Sequence, residues 1–137
     1  IREEYLAYKL IQTMAAHNEL GKWGEQIAAE YLQKKGYWIM FRDWKVGHRD
    51  LDIIAKQNDV VVIVEVKTRR NNHFGDTEMT IDRQKIRNLC IASNAFIKRL
   101  RIDNEIRFDI IAITGTPEAG YTINHIEDAL KPHLSWW

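Results

Sequence analysis

The apolar positions change period several times along the chain, and each change marks an element. Leu20, Trp23, Ile27 and Tyr31 recur at three- and four-residue spacing, the stripe of a helix with one buried face. Asn18 offers an N-cap before this stripe and Gly36 a stop after it, with Lys34 and Lys35 suited to the last turn, where carbonyl ends concentrate negative charge. Residues 1–13 carry a weaker helical pattern, so residues 1–16 read as an N-terminal extension and 17–137 as a single domain. Ile1 is not an initiator methionine and Met14 sits just before the patterned segment, so the start is processed, truncated or incomplete.

Strand signals follow. "YWIMFRDWK" at 37–45 is rich in aromatic residues, which favour strands. "DLDIIAKQNDVVVIVEVKTRR" from Asp50 to Arg70 reads as strands 50–57 and 60–69 around an Asn58-Asp59 turn. A loop of Asn, Gly and Asp leads to Thr80, a cap for a second long helix whose inward face is Ile86, Leu89, Ser93, Phe96 and Leu100. "IRFDIIAIT" at 106–114 is a further buried strand, and "YTINHI" a short last one. The hairpin strands must be antiparallel, while the second helix can cross over to make 106–114 parallel to 60–69. The pattern predicts an α/β fold with an αβββαβ order and a mixed central sheet flanked by helices.

Charged residues interrupt the hairpin where burial is otherwise continuous. Glu65 and Lys67 share a face with Val61 and Ile63, while Val62, Val64 and Val66 point the other way. Apolar on both faces, this strand is expected to be central and covered on both sides. With an even-length turn, paired numbers sum to a constant, so Asp52 lies opposite Glu65 and Asp50 opposite Lys67; an odd-length loop would separate them. Two opposed acids repel unless one is protonated or a cation lies between them. One reading is an ion-pair cluster completed by Lys67. The other is a divalent-metal site of Asp52, Glu65 and the Val66 carbonyl for Mg²⁺ or Mn²⁺, with Lys67 free to orient or deprotonate water or to stabilise phosphorane charge.

Charge and composition narrow the setting. The net charge of the 137-residue chain is +1, but residues 67–107 hold ten basic against five acidic side chains. That basic middle suits either a polyanion or a solvated helix face. The single cysteine, Cys90, allows no internal disulfide and points to the cytoplasm; with no histidine partner inferable, it reads as a small core residue. The histidines lack zinc spacing, and no apolar run is long enough to span a bilayer. His73 reads as a solvated loop residue, and Trp136 and Trp137 form an apolar end that could dock on the domain or on a second subunit. No oligomeric state follows.

Asp52 followed after twelve residues by Glu65-Val66-Lys67 resembles the PD-(D/E)xK nuclease signature, with Leu51 where proline is usual. The longer series "HNELGKWGEQIAAEYLQKKGY", "DLDIIA", "VEVKTRR", "FGD", "RQKIRNL" and "RFDIIAI" resembles the YraN-like family of small bacterial proteins over residues 17–114. The resemblance implies a restriction-endonuclease-like fold and a metal-dependent nuclease acting on DNA. Asp50 replaces the family's usual first Glu. By the same resemblance Glu25 assists the metal site; its helix position borders the inward face, which also suits a rim residue with an ordinary polar partner. Gln84 and Lys85 match polar residues that similar nucleases place beside the site, although plain surface polarity explains them too. Arg69, Arg70, Arg83 and Arg87 are candidates for backbone phosphate contacts. The alternatives are a non-catalytic nucleic-acid-binding module of the same fold and a protein-assembly factor.

Overall fold

The computed structural model describes residues 2–71 and 82–131. His73, Thr80, Trp136 and Trp137 lie outside the described residues. Two helices and five strands follow in the order α1 (Arg2–Lys34), β1 (Trp38–Val46), β2 (Arg49–Gln57), β3 (Val60–Arg69), α2 (Arg83–Leu100), β4 (Ile106–Thr116) and β5 (Gly120–Ile126). The strands form one sheet in chain order, antiparallel at every junction except β3–β4, which is parallel across the α2 connection. A mixed sheet flanked by helices is the architecture the pattern predicts.

The hairpin register is also as predicted. Gln57 pairs with Val60, and the ladder runs through Ile54↔Ile63 to Ile53↔Val64. β3 is covered on both faces because its two side-chain rows enter different cores. Val62, Val64 and Val66 pack with Ala28 and Leu32 of α1. Val61 and Ile63 pack with Leu89 and Phe96 of α2.

The helices depart from expectation at their starts. α1 is one continuous helix through Asn18, so Asn18 caps nothing. Met14-Ala15-Ala16 are good helix formers and no Gly or Pro intervenes, leaving the backbone no reason to break there. Among the described side chains, burial begins at Leu20. The other end stops where predicted: Gly36 has φ +89°, Gly36 N–H donates to the Gln33 carbonyl and Tyr37 N–H to that of Leu32, a paired closure of the last turn. α2 is capped by Asp82, whose Oδ1 accepts from Lys85 N–H at 2.8 Å. Leu100 is 37% exposed rather than inward, since Ile97 and Ile102 cover that end of the core. Cys90 is a buried free thiol, as expected. No described helix is long and apolar enough to cross a membrane.

A second polar cluster lies within the α1-side core. Asp109 is fully buried, and both its oxygens are engaged. Arg107 donates to Oδ1 and Oδ2 at 2.9 Å each, Asp128 N–H donates to Oδ1 at 3.0 Å, and His125 Nε2 lies 2.7 Å from Oδ2. His125 Nδ1 meets the Tyr31 hydroxyl at 3.0 Å, while Arg107 also donates to Tyr37 and Gln57. These bonds tie α1, β2, β4 and β5 together beside the apolar core.

Candidate active site

The site lies where β2 parts from β3. β1 and β2 stay paired to Val46↔Arg49, but the β2–β3 ladder ends at Ile53↔Val64. Beyond that point the Val66 N–H faces β2, and Asp52 Oδ2 accepts it at 2.9 Å. A side-chain carboxylate thus replaces the backbone acceptor that a continued ladder would supply. Because the N–H and carbonyl of a strand residue point to the same side, the Val66 carbonyl faces this gap too.

Both strands change face at this row. Leu51 and Ile54 enter the α2-side core whereas Ile53 and Ala55 enter the α1-side core, so the alternation slips at Asp52. On β1, Arg42 bonds Gln26 of α1 while Trp44 packs on Phe96 of α2; between them Asp43 has φ +51°. The coordinated twist turns Asp52 toward β3.

Glu65 faces Asp52 across the gap, near enough for the two carboxyls to repel one another. It is 4% exposed. Lys67 Nζ lies 3.9 Å and Lys85 Nζ 3.4 Å from the same oxygen, Oε1. Oε2 is buried with no hydrogen-bond partner among the described residues. Burial, followed by repulsion from Asp52, pushes the Glu65 carboxyl up to about 8, against the pull of Lys85 and Lys67. Asp52 is also raised, chiefly by burial and against the Val66 N–H bond.

Glu25 reaches the same neighbourhood from α1. The helix passes close over β3 because residue 24 is glycine; a Cβ there would overlap the Thr68 hydroxyl. Burial raises the Glu25 carboxyl, with Asp52 as the largest charge contribution. It borders a groove of about 540 Å³ shared with Lys22, Asp43, Lys45 and Asp50. Asp50 does not pair with Lys67, contrary to the register extrapolation; its Oδ2 lies 3.9 Å from Lys45 on β1, since β2 has left β3 by then.

The remaining sequence-selected residues divide. Lys85, expected beside the site and as a nucleic-acid contact, lies beside the site, its Nζ 3.4 Å from Glu65 Oε1. Gln84 is exposed and bonds Asn88, which also accepts from Arg49, so Gln84 points along the helix. Arg83 and Arg87 are exposed on α2. Arg69 donates to Thr114 Oγ1 at 3.4 Å, and Arg70 is exposed just past β3. Sequence reasoning missed the Asp109 cluster, although an acid inside the apolar run "RFDIIAI" was its visible signal.

Among the described residues, no three His, Cys, Asp or Glu side chains form a metal cage. The available donors are two carboxylates and a carbonyl, with Glu65 Oε2 unpartnered. That set fits a hard cation such as Mg²⁺, which keeps several waters and takes substrate phosphate oxygens as well.

The raised Glu65 carboxyl has a consequence for stability. The native state keeps a proton that the unfolded chain releases near its ordinary value of 4.5. In chelator, stability should therefore fall as pH rises from about 4.5 toward about 8. Glu65→Gln removes this loss and should be the more stable protein at pH 8 by roughly 1–3 kcal/mol. Urea unfolding at pH 5 and pH 8 with EDTA checks it; parallel pH profiles would mean the carboxyl is not perturbed.

The class defined here is a mixed α/β protein consistent with a nuclease-like fold, opened at its central hairpin around clustered carboxylates and lysines. The chain belongs to the uncharacterised protein family UPF0102, whose family model matches residues 24–113. A UPF0102 protein of Phocaeicola vulgatus is 43% identical over 121 residues, 88% of this chain and 99% of the relative. One from Bacteroides thetaiotaomicron is 46% identical over the same shares. A Flavobacterium psychrophilum member is 44% identical over 116 residues, 85% of this chain and 97% of its own.

Proposed function

We propose that this protein is a metal-dependent nuclease that hydrolyses DNA phosphodiester bonds. The observation that carries the reading is the convergence of Asp52, Glu65, Lys67 and Lys85 in the gap between β2 and β3. Asp52, Glu65 and the Val66 carbonyl would hold Mg²⁺ or Mn²⁺, which supplies Lewis-acid stabilisation of the negative charge on phosphorus-bound oxygens. Lys67 positions the attacking water and adds its own positive charge near the phosphoryl group. The water oxygen bonds to phosphorus as the bond to the leaving sugar oxygen breaks; the water's proton passes to solvent, and the leaving oxygen takes a proton from solvent. Glu25 contributes negative charge from α1 and helps retain the cation. Arg69, Arg70, Arg83, Arg87 and Gln84 offer backbone contacts along the open ends of β3 and α2, without base selection.

The test is a panel of duplex, branched, damaged and single-stranded DNA, with matching RNA, incubated with Mg²⁺, Mn²⁺ or EDTA. Metal-dependent cleavage should occur and disappear in Asp52→Asn. Replacing Arg69 and Arg70 together by Ala should weaken DNA binding and flatten its salt dependence by up to about two phosphate contacts. A wild-type protein that binds DNA but cuts no substrate with either metal would instead be a nucleic-acid-binding module. One that neither binds nor cuts nucleic acid would leave the assembly role standing.

A further inference from the structure

Lys67 and Lys85 approach one oxygen of Glu65 from different directions in the chain. Lys67 is fixed two residues along the same strand, while Lys85 reaches across from the first turn of α2 and comes closer, 3.4 Å against 3.9 Å. Both side chains are about one-third exposed, so each can turn outward without unpacking the core. With both carboxylates ionised, Asp52, Glu65, Lys67 and Lys85 sum to zero formal charge. A divalent cation alone raises that sum to +2, and Glu25 brings it to +1. A phosphodiester, carrying one negative charge, completes neutrality.

This balance gives the ammonium of α2 two alternative partners. We propose that Lys85 couples cation binding to substrate binding: it holds Glu65 in the free protein, competes there with the divalent cation, and transfers to the substrate phosphate when both are bound. Lys85 is thus a positioning residue whose free-state contact opposes the metal and whose bound-state contact favours DNA. The step moves the ammonium from one oxygen to another, and any proton that the Glu65 carboxyl holds in the free protein leaves to solvent as the cation binds. Competition for Glu65 depends only on the cation site, whereas transfer to phosphate rests on the nuclease reading.

Calorimetric titration with Mn²⁺ in the absence of DNA tests the first half. Lys85→Met, which keeps the side-chain length without its charge, should bind Mn²⁺ about tenfold more tightly than wild type, while Lys85→Arg should not gain affinity. Equal or weaker affinity in Lys85→Met would overturn the competition. A short duplex titrated over several salt concentrations tests transfer, with Ca²⁺ replacing Mn²⁺ to keep the DNA intact. Lys85→Met should lose about one phosphate contact from the salt slope with Ca²⁺ present and none in EDTA. The binding gain conferred by Ca²⁺ on DNA should shrink by the same factor as the gain conferred by DNA on Ca²⁺. Equal losses with and without Ca²⁺ would overturn transfer, making Lys85 an ordinary phosphate contact. Failure to cleave by wild type would count against the nuclease alone, because neither titration reads turnover.

Discussion

Lys67→Ala should lower DNA cleavage by on the order of a thousandfold while leaving most DNA binding in place. Lys67 stands 3.9 Å from Glu65 at the mouth of the gap, where its ammonium can meet both water and phosphate. Its contribution is expected to grow as negative charge accumulates on the phosphoryl oxygens, so the loss should fall on turnover rather than on affinity. Lys67→Arg should not restore the rate, because a planar guanidinium is bulkier than a compact ammonium and spreads its charge over a wide fork instead of presenting it at one point. Single-turnover cleavage measured beside a binding titration separates the two quantities. Full cleavage by Lys67→Ala would place the chemistry elsewhere or expose a contaminating nuclease. A parallel loss of binding and cleavage would make Lys67 a binding residue.

The largest stability effect is expected away from that gap. Asp109→Ala removes the acceptor of two Arg107 bonds, one from the Asp128 N–H and one with His125. Arg107 is then left four-fifths buried with its main counter-charge gone. Breaking a buried ion pair in this way costs about 3–5 kcal/mol, which should lower Tm by roughly 10–20 °C in a domain of this size. Despite burial, the hydrogen bonds from His125, Arg107 and Asp128 hold the Asp109 carboxyl down at about 2. A depressed native value contributes stability above the ordinary 3.8, and that contribution is lost as pH falls from there through about 2. Its size is about 2 kcal/mol. Acid titrations of stability should therefore show a loss between pH 4 and pH 2 in wild type that is missing in Asp109→Asn. A variant as stable as wild type would show that the cluster is dispensable packing. Cleavage should survive these changes at temperatures where the variants stay folded.

Some of this was settled by local sequence. The strands of the hairpin, their register and the two-sided burial of β3 follow from alternation and turn length, both set within twenty residues. Gly36 ends α1 because only a residue tolerant of positive φ closes its last turn easily. Local pattern misjudged the start of α1, since Asn18 is a competent cap only if the preceding turn does not continue the helix. It also placed the start of α2 at Thr80 rather than Asp82, where several polar residues offer equivalent caps.

The sequence by itself determined the mixed α/β plan and put Asp52, Glu65 and Lys67 within reach of one another, because strand period and register are local quantities. The tertiary structure decided how they meet. The change of face at Asp43 and Asp52 turns the Asp52 carboxylate onto the Val66 N–H and sends Asp50 to Lys45, which no count along an ideal strand reveals. Lys85 reaches Glu65 from a helix eighteen residues after Lys67, and Asp109 finds His125 and Tyr31 through the packing of β5 and α1. Such contacts depend on where helices dock across a twisted sheet, and only the packed cores fix that docking.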